Sequence, residues 1–124
     1  MSYALLIIED PAQRPERSRA EGEALYAEMA AFSAALHEKG QLQAAESLGS
    51  HASAQRVRSG PQGRLQITDG PFAEVKEMIG GFFLLQNVSH EEALAIAQRC
   101  PAAQWATVEL RPLMPCYDGS GGPA

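Results

Sequence analysis

Apolar and polar residues are distributed along this chain in patterns that separate its elements. In "YALLIIE", residues 3 to 9, Tyr3, Leu5 and Ile7 fall on one side of an extended strand and Ala4, Leu6 and Ile8 on the other. A strand apolar on both sides needs cover on both, which suits the middle of a sheet. "DPAQRPER" reads as a loop, its two prolines excluding a helix. From Ser18 to Gly40 the apolar spacing lengthens to a helical period, with Leu25, Met29, Phe32 and Leu36 in one stripe. Ser18 and Glu21 match a capping box, Lys39 suits the last turn, and Gly40 is a natural stop.

Two short alternating segments follow, "AQRVRS" and "RLQITD", joined by "GPQG" as in a hairpin. "GFFLLQNV" is again apolar on both sides. Ser89 and Glu92 repeat the capping box before "HEEALAIAQRC", a second helix stopped by Pro101. In "WATVELR" Ala106, Val108 and Leu110 alternate with Thr107, Glu109 and Arg111, predicting a last strand. The order predicts an α+β fold: a ferredoxin-like β-α-β-β-α-β sandwich with an extra hairpin. Its two central strands would be those apolar on both faces. Two helices cover only one side of such a sheet, so the other is expected to pack on an identical subunit in a homodimer. One domain over residues 1–113 is expected, with 114–124 a flexible tail.

Composition narrows the picture. At 124 residues the chain is one domain, and 45% apolar with 20% charged residues is ordinary globular content. A net charge of −5 with scattered basic residues argues against nucleic acid or an anionic membrane surface as partner. No apolar run nears the roughly 18 residues of a membrane span, and the N-terminus lacks the basic leader of a signal peptide. Cys100 and Cys116 lack metal-site or disulfide-framework spacing, so reduced thiols and a cytoplasmic location are expected.

The stretch "ITDGPFAEVKEMIGGFFLL" carries the densest local chemistry. Asp69 suits backbone N–H groups, Gly70 permits unusual dihedrals and Pro71 fixes φ, which together build a corner. "AEVKEM" adds about one helical turn, which Gly80-Gly81 would end. With "YALLIIED", "LHEKGQL", "EALAIAQRCPAA" and "TVELRPL", this stretch resembles the DGPF-domain proteins, a branch of the YCII-related superfamily. The resemblance covers most of residues 2 to 113 and implies a dimeric α+β barrel. It also implies a His–Asp dyad in some relatives. The corresponding positions here hold Met29 and Cys100, neither of which supplies that proton-transfer pair. An association with extracytoplasmic-function sigma factors is a further implication.

Candidate site residues follow from charge and position. Asp69, Glu74, Lys76 and Glu77 form the dense titratable group: Asp69 as loop-orienting acceptor or general base, Lys76 as anion partner. Phe72 offers an apolar wall. Arg56 with Arg58, and Thr107 with Glu109 and Arg111, share strand faces that either line a cleft or point outward as solvated edges. His37, His51 and His90 have no metal-ligand spacing and read as surface residues. Neither metal nor cofactor is expected. Cys100 at a helix C-terminus reads as a packing residue. The leading expectation is a small anionic or aromatic ligand in a cleft near the loop, contacted by Asp69, Phe72, Lys76, Arg58 and Glu109. The alternatives are a lyase- or isomerase-like enzyme using Asp69 or Glu109 as base, and a regulatory module for a sigma factor.

Overall fold

A computed structural model describes residues 1–117. The end of the tail, with the flexibility expected of it, lies outside the described residues. Strands β1 (Tyr3–Glu9), β2 (Leu42–Ser47), β5 (Met78–Leu85) and β6 (Thr107–Pro112) form one antiparallel sheet in the order β2-β5-β1-β6. β3 (Gln55–Ser59) and β4 (Leu65–Asp69) form a separate hairpin. The helices are α1 (Gln13–Glu16), α2 (Arg19–Glu38) and α3 (His90–Arg99). This is a mixed α+β architecture compatible with a ferredoxin-like fold, and its two central strands are those with two apolar faces.

The alternation in β1 decides which side is the core. Tyr3, Leu5 and Ile7 are buried beneath the helices with Phe83 and Leu85 from β5, and Val108 and Leu110 pack against them from β6. Leu36 of α2 and Ala93, Ile96 and Ala97 of α3 close this core from above. Phe32 meets Phe83 edge to face at a centroid distance of 5.3 Å. The opposite side carries Leu6, Ile8, Phe82 and Leu84, all half-buried, beside Ile79, which is exposed.

Both capping boxes form as the sequence predicts. Ser18 caps α2 with Glu21 and Ser89 caps α3 with Glu92, each through a reciprocal pair of hydrogen bonds. Three local expectations are corrected. The 13–16 segment is one helical turn rather than loop, because Pro15 sits in a first turn, where a missing N–H costs no intrahelical bond. Residues 72–75 make a reverse turn, Val75 N–H donating to Phe72 O at 3.1 Å, instead of starting a helix. Gly80-Gly81 therefore lies inside β5 rather than ending a helix. Apart from these three, β2 is a strand for which the periodicity gives no signal.

The caps give a test through their carboxylates. Glu21 and Glu92 are held below the ordinary carboxylate range, first by the backbone N–H of Ser18 and Ser89 and next by the serine hydroxyls. A depressed carboxylate stabilises the fold above the unfolded-state pKa, and that contribution is lost as pH falls through the folded-state value. Ser89→Ala removes the hydroxyl partner and is expected to move the Glu92 titration upward, toward an ordinary carboxylate, by NMR. An unchanged titration would contradict this role for the cap.

Candidate functional site

The site begins with a charge at the end of an apolar row. Glu9 follows Tyr3, Leu5 and Ile7 on the core side of β1 and is only 3% exposed, the one fully buried charged side chain among the described residues. Burial of a lone carboxylate is costly, so a partner is required. Arg14, on the short helix α1, supplies it: Nε donates to Glu9 Oε1 at 2.6 Å. The rest of the guanidinium is also occupied. Nη1 donates to Leu48 O at 2.8 Å and Nη2 to Gly80 O at 3.1 Å. One side chain thus ties the end of β1 to the chain leaving β2 and to β5.

The β5 side of this clamp depends on Gly80. Ile7 faces Gly81 while Ile8 faces Ile79, so Gly80 is the extra residue of a β-bulge. A Cβ there would overlap the Glu9 carboxylate and lie 2.8 Å from Arg14 Nη2. The glycine pair of the motif therefore makes room for the ion pair.

Beside the clamp a cavity of about 610 Å³ lies between α2 and the sheet. Its apolar walls come from Leu25 and Met29 on the helix and Ile7, Leu42, Ala45 and Phe83 on the strands. Small residues on both sides, Ala30, Ser33 and Ala34 against Ala45, Gly80 and Gly81, leave the space unfilled. The sequence-predicted stripe of α2 explains why: only Leu36 is fully buried, Met29 and Phe32 are partly so, and Leu25 borders the void. Glu9, Glu46, Arg14 and Arg17 contribute the charged lining, with His37 and Trp105 alongside. Arg17 lies over the Trp105 ring, Cζ 4.7 Å from the centroid, and Nη2 donates to Gln13 Oε1 at 3.1 Å. A second cavity of about 530 Å³ shares Glu9 and Trp105 and is bordered by Lys76, Glu77 and Thr107.

The motif residues sit elsewhere. Asp69 is exposed at the end of β4 and accepts from Gln55 Nε2 at 2.8 Å across the hairpin. Phe72 is half-buried under Arg56, whose Cζ stands 3.8 Å from its ring centroid. His51, expected as a surface histidine, accepts from Phe72 N–H through Nδ1 at 3.1 Å. A Cβ on Gly70 would collide with the His51 carbonyl oxygen, which accounts for that glycine. Arg58 is exposed on β3, and Glu109 is exposed on β6 with Arg111 Nε at 3.9 Å. Of the five expected ligand residues, Lys76 borders the second cavity, and neither cavity is lined by Asp69, Phe72, Arg58 or Glu109.

The dyad-equivalent positions also part company. Met29 borders the larger cavity, whereas Cys100 is buried in the core at the end of α3. Burial pushes the Cys100 thiol pKa up, against a smaller downward pull from the Ala102 backbone. The sequence reading missed Glu9, Arg14, Arg17 and Trp105. Glu9 was detectable from its parity with Ile7; the meeting of Arg17 and Trp105 had no local signal.

Comparison with known proteins places this geometry in a family. The family model described as the YCII-related domain matches residues 1–116. A protein of Rhizobium meliloti (strain 1021), described only as uncharacterized, is 33% identical over 115 residues, covering 91% of this chain and 92% of the relative.

Gly80→Ala places a methyl group where Glu9 and Arg14 meet, so loss of about 2 kcal/mol or more of folding stability is expected. Denaturant unfolding measures it. Wild-type stability in this variant would mean that the clamp yields without cost.

Proposed function

This chain belongs to the YCII-related domain family, and we propose that it binds a small organic molecule in the cavity between α2 and the sheet. The observation that carries this reading is the cavity itself, about 610 Å³ with an apolar body and a charged end. Ligand pockets commonly fall between about 300 and 1,000 Å³ and combine apolar walls with a few convergent polar groups. The motif stretch then has a structural task, leading the chain from the hairpin to the Gly80-Gly81 floor. Arg56, Phe72 and His51 fasten that path.

A second copy of the chain is the proposed occupant of the face without helices. Leu6, Ile8, Phe82, Leu84 and Ile79 give that face an apolar surface. The hairpin adds Val57, Leu65 and Ile67, which are 61%, 71% and 68% exposed. Val57 lies opposite Ile67, so the two share one hairpin face. A two-stranded hairpin with so much exposed apolar surface gains stability from a partner. Static light scattering at micromolar concentration is expected to give twice the 13.3 kDa chain mass. A mass of one chain would contradict the dimer.

The binding reading is tested by a thermal-shift screen of small acids, phenols and their neutral analogues. A ligand at 100 times its Kd stabilises the folded state by about 2.7 kcal/mol, enough to move the midpoint by several degrees. The shift is expected to vanish in Ala30→Phe, which fills the cavity from α2. No shift with any compound, or an undiminished shift in Ala30→Phe, would contradict the cavity as the site.

A further inference from the structure

We infer that the cavity selects a carboxylate with an apolar body, read by Arg17 on its Trp105 platform. This rests on the cavity being the binding site. Two guanidinium groups line it, and they differ in what they have left to give. Arg14 already donates through Nε, Nη1 and Nη2 to Glu9, Leu48 and Gly80. It is committed to the framework. Arg17 has five N–H donors, but its side-chain hydrogen bond goes to the neutral amide oxygen of Gln13, and it forms no ion pair among the described residues.

The neighbour of Arg17 supplies a platform. Trp105 Nε1 is buried and has no acceptor among the described residues. Buried, that nitrogen is out of reach of a ligand in the cavity, so the ring and not its N–H is the recognition element. Arg17 rests on the same indole ring, and both side chains line the cavity. The ring holds the planar guanidinium in a fixed orientation, which favours fork-like recognition of a planar carboxylate over a point cation. Of the two carboxylates in the lining, Glu9 is already neutralised by Arg14, and Glu46 is exposed on β2, where solvent screens it. The apolar walls are Ile7, Leu25, Met29, Leu42 and Phe83, which suit an aliphatic or aryl chain.

The sequence contains a single tryptophan, so Trp105 fluorescence reports directly on the site. The full chain is titrated with 4-phenylbutyrate and with its neutral amide, 4-phenylbutyramide. The carboxylate is expected to change the emission saturably and to bind about tenfold or more tightly than the amide. Arg17→Gln is expected to bring the carboxylate down to the level of the amide while leaving amide affinity unchanged, which also verifies that the variant is folded. Equal affinity of the two probes for the wild-type protein would overturn carboxylate selection and leave the cavity as the site; this comparison needs no variant. A preference that persists in Arg17→Gln would remove Arg17 from the recognition. Binding of neither probe up to millimolar concentration, or binding undisturbed by Ala30→Phe, would overturn the cavity reading and this inference with it.

Discussion

The Glu9–Arg14 ion pair is the constraint around which the functional half of the molecule is arranged. A carboxylate at the end of the core-facing row of β1 must have its charge answered. The one turn of α1 brings Arg14 back over the sheet to do so, and its remaining donors bind the carbonyls of Leu48 and Gly80. Room for the pair exists because β5 bulges at a glycine. Ion pair, bulge and glycine motif are thus one feature seen from three strands. A buried pair of this kind contributes little net stability against an apolar replacement, yet breaking it is expensive. It specifies a geometry more than it adds to the total.

That geometry leaves a cavity beside it. α2 is anchored toward its C-terminal end by Phe32 and Leu36, while Leu25 and the small residues of its other face stand over open space. The space is open to solvent along α2, where Ala30 and Ala34 are exposed, so it is a cleft and not a packing void. A cavity lined by Ala30, Ser33, Ala45 and Gly80 is one in which larger residues would have filled the gap. The charged groups beside it divide the labour: Arg14 holds the framework and Arg17 stays available.

Much of the fold was legible because burial writes itself into periodicity. The doubly apolar β1 and β5 pointed to a sheet centre, and both serine–glutamate boxes marked true helix starts. Less legible were elements whose burial is partial. β2 is an edge strand of alanines and polar residues, and α1 carries a proline in a position where proline is harmless. The motif loop attracted attention through its density of charge, but density in sequence is not convergence in space. Asp69 is spent on Gln55 and Phe72 on Arg56 and His51. The cavity residues gave the weaker signal, since a site made from small side chains announces itself only when two elements face each other.

The central claim is that the ligand sits under α2 and not at the motif loop. A ¹H–¹⁵N NMR titration with 4-phenylbutyrate distinguishes the two places directly. The expected result is that the largest shifts fall on the Trp105 indole N–H and on the backbone amides of Arg17, Leu25, Ala45 and Gly81, leaving residues 55–72 nearly unmoved. Shifts concentrated on Asp69, Gly70 and Phe72, with a silent Trp105, would contradict it.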